Sequence, residues 1–108
     1  MSVFMIWTYV VKSEGQGEFM SLVQKLTEYA KENPKKFEEV KSWKFFTQMF
    51  GGVSGGYVDM IEFENMTELE EWRSRTWFKD EGCMKMVQEF MLLIDPATFS
   101  ISVWNEIT

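Results

Sequence analysis

Histidine is absent from this chain of 108 residues, and cysteine occurs only once. Without histidine, the chain lacks the usual general base at neutral pH, the usual haem ligand and the commonest zinc ligand. Cys83 has no second cysteine with which to form an intramolecular disulfide or a paired-cysteine metal site. We therefore expect no bound metal or cofactor. We expect a buried structural thiol in a reducing cytoplasm rather than a nucleophile, because no histidine is present to activate it.

Long apolar segments and an excess of positive charge are missing as well. No run approaches the roughly 20 apolar residues that a membrane-spanning helix requires. The N-terminal residues 1–4 carry no basic region or cleavage site of a signal peptide. The formal net charge of −6 repels phosphate backbones and anionic lipid surfaces. We therefore expect the partners of this protein to include neither nucleic acids nor membranes.

Aromatic residues, by contrast, are abundant. They make up 17% of the chain, with ten Phe, five Trp and three Tyr, and hydrophobic residues reach 45%. A chain of this length is expected to form one domain, residues 1–108, and to bury roughly two thirds of its extended surface. One small core does not need so many large flat side chains. Some of them are therefore expected in an interface or a pocket.

The hydrophobic pattern predicts the element order β-α-β-β-α-β. The predicted strands are residues 3–12, 40–50, 57–64 and 99–107. The predicted helical regions run from a breaker at 13–17 to about Glu32, and from a capping box at 67–70 to Asp95-Pro96, with an interruption at Gly82. This order predicts an α+β, ferredoxin-like fold, in which an antiparallel four-stranded sheet carries the helices on one face.

The second face of that sheet predicts self-association. In the last strand, Phe99, Ile101 and Val103 share one face, which is expected to lie under the helices, whereas Trp104 lies on the other. The second strand carries aromatic residues on both faces. An uncovered sheet would expose an apolar patch far larger than a few hundred Å², which usually marks an interface. We therefore expect two sheets to pack back to back in a homodimer, with room for a cavity between them.

Residues 57–72, YVDMIEFENMTELEEW, resemble the antibiotic-biosynthesis-monooxygenase-like group of the dimeric α/β-barrel superfamily. The resemblance implies a pocket between helices and sheet or inside the barrel. It also implies activities such as cofactor-independent oxygenation of polyketide-like aromatics or haem degradation. By position, Glu62 matches the group's strand-end glutamate. Trp72 falls where many members carry a helical histidine, so the resemblance argues against haem chemistry here.

Asp59 and Glu62 are the candidate catalytic residues. Their odd spacing on one strand directs them to opposite faces, so only one of them can enter a given cavity. A carboxylate in an apolar cavity has a raised pKa and can act as a base. The alternative is that the inward carboxylate is paired, for example with Lys44 or Arg73, while the other is solvated.

Aromatic residues are the candidate ligand-binding residues, because their rings can stack against a flat ligand. The candidates are Trp7, Trp43, Tyr57, Trp72 and Trp104, with Tyr9 beside them. The alternative is that these rings only pack the barrel at a dimer interface, where Trp and Tyr are also enriched.

Residues 51–56, GGVSGG, join the second and third predicted strands. The glycines predict a plain hairpin loop. Two alternatives remain open, namely an anion cradle formed by backbone N–H groups and a lid over a cavity mouth.

Two functional hypotheses follow. The first is a small cytoplasmic protein whose aromatic-lined cavity binds an apolar or aromatic metabolite. Its chemistry, if it is an enzyme, would be oxygenation or isomerisation without a bound metal. The second is a non-catalytic dimerisation or stress-related module whose aromatic residues all form the interface. An interior without a void large enough for a ligand would favour the second hypothesis.

Overall fold

A computed structural model describes residues 1–49, 51 and 55–108. Its strands are β1 (Val3–Val11), β2 (Val40–Thr47), β3 (Gly56–Phe63) and β4 (Ile94–Asn105). Its α-helices are α1 (Gln16–Glu32), α2 (Met66–Trp72) and α3 (Glu81–Leu93). Short 3₁₀ turns occupy Ser13–Gly15 and Pro34–Phe37, and a π-helical turn occupies Arg73–Trp77. No described helix combines the length and the apolar character needed to cross a bilayer.

The four strands form one antiparallel sheet in the order β2-β3-β1-β4. This is the ferredoxin-like α+β fold, and the predicted fold class is confirmed. The core lies between the sheet and the helices, since the alternate β1 residues facing the helices are all buried. Rings bridge the two layers, as where Tyr9 meets Phe19 of α1 and Trp7 meets Phe90 of α3.

We call the sheet side under the helices the helix face and the other side the open face. The open face carries Phe4, Ile6, Phe46, Val58, Met60, Glu62 and Trp104.

The second helical region is divided earlier than Gly82. Helix α2 is capped by Asn65, whose side chain accepts from the Glu68 amide at 2.9 Å, so the cap lies two residues before the predicted Thr67. The π turn follows directly, and α3 begins after Asp80, which accepts from the Cys83 amide at 3.0 Å. Two separate caps therefore make two helices from one predicted region.

A polar clamp holds the start of α3 against the end of α1. The Tyr29 hydroxyl donates to Asp80 Oδ2 at 2.5 Å, and Lys36 Nζ lies 2.7 Å from Asp80 Oδ1. Lys36 Nζ also donates to Tyr29 Oη at 2.9 Å. Partial burial works to raise the pKa of Asp80, but the hydrogen bonds from Lys36 and Tyr29 outweigh it and lower that pKa to about 2.

Strand β4 begins at Ile94, five residues before its predicted start. The Asp95-Pro96 pair does not end the helix, since α3 already stops at Leu93. Pro96 is tolerated because β4 is an edge strand with a register shift opposite the Thr8–Val10 segment of β1. The register places Ile101 opposite Trp7 and Val103 opposite Met5, so both lie on the same side of the sheet as the helices, as predicted, but the helices cover them only in part. Phe99 packs on Trp7, but Ile101 and Val103 are about half exposed.

The predicted loop at residues 51–56 falls largely on residues 52–54, which lie outside the described residues, as does Phe50 at the predicted end of the second strand. The two described loop glycines, Gly51 and Gly55, have φ angles of 70° and 78°. This left-handed conformation favours glycine, because other residues would suffer a clash at Cβ.

Candidate functional site

Asp59 occupies the middle of the helix face. The strand register places it opposite Trp7 on β1 and opposite Phe45 on β2. Because directly paired residues point to the same side of a sheet, the Asp59 carboxyl lies between two aromatic side chains. Only 3% of Asp59 is exposed. The sheet thus presents one acid from within an apolar surface.

A small cavity lies over this carboxyl, between the sheet and helices α1 and α3. Its volume is about 40 Å³. The sheet contributes Trp7, Tyr9, Trp43, Phe45 and Asp59 to its wall. The remaining lining residues come from the helices and the π turn, and they are apolar except for the thiol of Cys83. Burial raises the pKa of the Cys83 thiol to about 12, so the thiol is uncharged at neutral pH.

The electrostatics of Asp59 suit proton transfer near neutral pH. Burial is the main cause that raises its pKa, to about 7, against a usual value of 3.8. Two neighbouring groups limit this rise in pKa. The Trp43 indole N–H donates to Asp59 Oδ2 at 2.8 Å, and the Tyr9 hydroxyl lies near the carboxyl. At pH 7 both the protonated and the charged form of such a carboxyl are present, which suits a general base.

Two residues of the cavity wall, and Trp72 behind it, carry a buried polar atom that has no hydrogen-bond partner among the described residues. Trp7 Nε1 and Tyr9 Oη are buried, and neither completes a hydrogen bond with any residue that the structure describes. An unsatisfied buried donor costs about 1–3 kcal/mol. Burial, followed by the charge of Asp59, raises the pKa of Tyr9 far above its ordinary value. Tyr9 is therefore a neutral O–H donor at every physiological pH.

Glu62, the second candidate acid, lies on the open face and away from the cavity. It accepts hydrogen bonds from Ser2 Oγ and, at 2.9 Å, from Ser42 Oγ, and Lys41 Nζ lies 3.7 Å from it. These contacts, led by the Ser2 hydrogen bond, lower the pKa of Glu62. Glu62 is the outward carboxylate, which was expected to be solvated, and it is instead paired with Lys41. The inward carboxylate, Asp59, is held by the Trp43 indole and not by the Lys44 or Arg73 suggested as partners.

The structure separates the candidate aromatic residues. Trp7 and Trp43 line the cavity with Asp59. Tyr57 lies beside it, stacked parallel to Tyr9 with ring centroids 6.2 Å apart, and its hydroxyl donates to Gln16 Oε1 at 2.6 Å. Trp72 is fully buried behind Trp43, with the ring centroids 6.0 Å apart.

The remaining candidate, Trp104, does not join this group. It lies on the open face, where 56% of it is exposed.

Trp77, which the sequence reasoning did not select, completes the cavity wall. It ends the π turn and meets Trp7 edge to face, with ring centroids 4.6 Å apart. Its ring also lies 5.5 Å from that of Trp72. The only sequence signal was the five-residue spacing between the two tryptophans, which matches the i to i+5 repeat of a π turn and not an α-helical one. Local π turns of this kind occur frequently at functional sites.

An open groove of about 480 Å³ runs along the β2 edge of the sheet. The second half of α1, the turn at Pro34–Phe37 and β2 form its walls. Leu26, Trp43 and Phe45 border both the groove and the cavity. The cavity alone holds little more than water, whereas the groove falls within the range of about 300–1,000 Å³ that is typical of ligand sites. Binding of a metabolite therefore depends on both spaces together.

One cluster of acids has the spacing of a metal site. Carboxylate oxygens of Glu39, Glu68 and Glu71 lie within 4.8 Å of one another. However, the Arg75 guanidinium already holds Glu39 through two hydrogen bonds, one of them 2.7 Å long. This ion pair supplies the positive charge that the cluster needs, and we assign no metal to it.

Solved structures share this fold, although comparisons of sequence alone detect no relative. No protein-family model matches the chain, and no curated protein matches its sequence. Solved structures match it over nearly its whole length. Its fold is that of the antibiotic-biosynthesis-monooxygenase type, which confirms the predicted resemblance at the level of the fold.

Three of these structures illustrate the likeness. An antibiotic biosynthesis monooxygenase is 13% identical, with a TM-score of 0.70 over 98% of this chain and 99% of its own. A variant of SnoaB, a cofactor-independent oxygenase from Streptomyces nogalater, is 10% identical, with a TM-score of 0.71 over 99% of this chain and 94% of its own. A dimeric protein of unknown function from Bacteroides fragilis is 10% identical, with a TM-score of 0.64 over 97% of this chain and 96% of its own.

Proposed function

We propose that this protein binds a small apolar or aromatic molecule on the helix face and transforms it without a metal, with Asp59 as the reacting polar group. One observation carries the proposal: a single carboxyl with a pKa of about 7 is buried in an otherwise apolar, aromatic wall. Buried acids with raised pKa values cluster at functional sites, because such a group can take up and release a proton at neutral pH.

The arrangement of cavity and groove supports the same proposal. The apolar body of a ligand lies in the groove against Trp43 and Phe45, and its reacting end enters the cavity at Asp59. Trp43 contributes twice, since its ring borders both spaces and its N–H holds the carboxyl. The similarity of the fold to a cofactor-independent oxygenase supports chemistry of this class, either oxygenation or isomerisation.

Ligand binding is tested with 2-naphthol as the probe, by saturation-transfer NMR on the full chain. Val87 lines the cavity on α3, and Val87→Phe is expected to fill the cavity and abolish the signal. Met91→Phe, on the exposed side of the same helix, is the matched control and keeps the signal. Equal binding by both variants, or no binding by the unaltered chain, would contradict the proposal.

A second candidate function rests on the open face. Phe46 and Trp104 are 45% and 56% exposed there, beside the partly buried Phe4, Val58 and Met60. We propose that two copies of this chain associate through this face, and the dimeric Bacteroides fragilis neighbour supports the idea. Native mass spectrometry of freshly purified protein tests it. A dimer that Trp104→Lys converts to a monomer supports it, and a monomeric unaltered chain refutes it.

The same spectrum separates the two candidate functions. A dimer carrying a small non-covalent adduct supports the ligand-binding function. A dimer without an adduct, together with no 2-naphthol binding, supports the non-catalytic module.

A further inference from the structure

The groove along the β2 edge differs in charge from the cavity beside it. The cavity wall contains one acid, Asp59, and no lysine or arginine. The groove wall contains two lysines, Lys31 of α1 and Lys41 of β2, and no acid. By contrast, the surface clefts beside α2 and between α1 and α3 contain acids such as Glu70 and Glu89. In a chain with a net charge of −6, this groove is therefore a local concentration of positive charge.

The two lysines of the groove are not equivalent. Lys41 Nζ lies 3.2 Å from Glu64 Oε2 and 3.7 Å from Glu62 Oε2, so its charge is already paired. The Lys31 side chain makes no ion pair or hydrogen bond with any residue that the structure describes. The other polar residue of the wall, Thr27, donates its hydroxyl to the Val23 carbonyl at 2.8 Å. Lys31 is thus the polar group of the groove that is available to a ligand.

The rest of the groove wall is apolar. Apart from the two lysines and Thr27, its residues carry apolar side chains or, in Trp43, an indole whose N–H already donates to Asp59. The rings of Trp43 and Phe45 are stacked, with centroids 6.0 Å apart and an interplanar angle of 15°. Removal of apolar surface from water is the main favourable contribution to binding at such a wall. The groove therefore suits a molecule that is apolar along most of its length.

The positions of the charges give such a molecule a direction. Leu26 borders the cavity, and Lys31 follows it by five residues on α1. This places Lys31 about 7.5 Å further along the helix axis. A carboxylate at the cavity end would lose its hydration, gain no cation and meet Asp59, a group of like charge. A carboxylate at the Lys31 end meets a charge of opposite sign and stays in contact with water.

We propose that the groove binds amphipathic carboxylates, molecules with an apolar body and one carboxylate, with the carboxylate at Lys31 and the apolar end towards Trp43 and Phe45. The inference rests on the proposed function, because the ligand body occupies the same groove. It adds the charge of the ligand and the direction in which the ligand lies. Since Lys31 is exposed, the apolar body provides most of the affinity and the ion pair a smaller part.

The test compares octanoate with 1-octanol, which has a chain of the same length and no charge. Chemical-shift titration of the labelled full chain at pH 8 gives the Kd of each. We expect Lys31→Met, which keeps the apolar stem and removes the charge, to weaken octanoate about two- to fivefold, the effect of an exposed ion pair. The Kd of 1-octanol should not change. At about 1 M salt, where screening acts within roughly 3 Å, the effect on octanoate should disappear.

Lys41→Met is the matched control. It makes the same substitution at the second lysine of the groove, whose charge Glu64 and Glu62 already pair. We expect it to leave the Kd of both ligands unchanged. Circular dichroism checks that each variant is folded. Intermolecular NOEs test the direction, since the octanoate methyl group should lie near the Trp43 ring and the methylene next to its carboxylate near Lys31.

The outcomes separate this inference from the proposed function. Octanoate that binds Lys31→Met as tightly as the unaltered chain overturns the inference and leaves the groove as a site for apolar molecules. Equal weakening of octanoate and 1-octanol, an equal effect of Lys41→Met, or NOEs in the reverse direction overturn it as well. If neither ligand binds the unaltered chain, the inference falls, and the 2-naphthol experiment then decides whether the proposed function stands.

Discussion

The Trp43 indole donates a 2.8 Å hydrogen bond to the Asp59 carboxyl from the neighbouring strand. Trp43 lies on β2 and Asp59 on β3, diagonally across the ladder on the helix face. The N–H stabilises the charged carboxylate, so it opposes the effect of burial on the pKa of Asp59. Trp43 is thus a positioning residue that orients the Asp59 carboxyl and lowers its pKa.

Replacement of this indole by a ring without a donor should move the titration of Asp59. In Trp43→Phe the charged form loses a hydrogen bond while burial remains, so we expect the pKa of Asp59 to rise above about 7. Carbon-13 NMR of labelled aspartate follows the titration directly. Phe63→Leu changes a buried ring on the same face of β3 without removing a donor, and it serves as the control. An unchanged or lower pKa in Trp43→Phe would contradict this account.

Asp59 should also make the stability of the protein depend on pH. Its pKa rises from 3.8 to about 7 on folding, so the folded chain holds more protons than the unfolded chain between these values. Stability therefore decreases as pH increases from about 4 to 7, by an amount on the order of 4 kcal/mol if 1.4 kcal/mol accompanies each pKa unit. The other titratable residues in the cavity wall, Tyr9 and Cys83, stay neutral throughout this range.

Urea unfolding at pH 5 and pH 8 measures this effect. Asp59→Asn cannot ionise at this position. We therefore expect that, between pH 5 and pH 8, the variant loses less free energy of unfolding than the unaltered chain does. Identical pH dependence in both proteins would show that Asp59 does not titrate in this range.

The unpartnered hydroxyl of Tyr9 predicts a mutation that stabilises the fold. Tyr9→Phe removes an unsatisfied buried polar atom and keeps the ring. At pH 5, where Asp59 is protonated and the hydroxyl has no charge to stabilise, we expect about 1–2 kcal/mol of added stability. Tyr29→Phe is the matched control, because that hydroxyl donates to Asp80 and accepts from Lys36. Its removal should cost about 1–2 kcal/mol. If the urea midpoints of the two variants shift in the same direction, this interpretation is refuted.

The fold was predictable because its signals are local and periodic. The short run of β-branched and aromatic residues in β1 and the stripe of α1 that includes Phe19 and Leu22 require no knowledge of distant residues, and they specify a strand and a helix directly. The opposite faces of Asp59 and Glu62 followed from the same two-residue period.

The cavity was less predictable because it depends on contacts between distant segments. Trp77 reaches Trp7 only through a π turn, and Trp104 was grouped with Trp43 although the register places them on opposite faces. On α3, Met84 and Met91 are exposed, whereas Cys83 is buried, as expected of a structural thiol. Because α3 begins at its own cap, Asp80, its buried side does not continue that of α2. A single helical period drawn through both helices could therefore not predict which α3 residues are buried.

The clamp at the start of α3 makes Gly82 a position that should tolerate no side chain. A Cβ built on Gly82 would lie 2.4 Å from Tyr29 Oη and 2.5 Å from Tyr29 Cζ. The Tyr29 ring would have to move, and its hydroxyl would then leave Asp80 and Lys36. We expect Gly82→Ala to destabilise the protein by about 1–3 kcal/mol, the usual cost of overpacking.

Gly17→Ala provides the matched comparison for this prediction. Gly17 also lies in a helix, but a Cβ there would meet nothing within 4 Å. The higher helix propensity of alanine should therefore stabilise that variant by up to about 1 kcal/mol. Thermal unfolding of both variants separates the two effects, since the same substitution should shift the midpoint in opposite directions. A Gly82→Ala variant as stable as Gly17→Ala would show that Tyr29 is not held against α3.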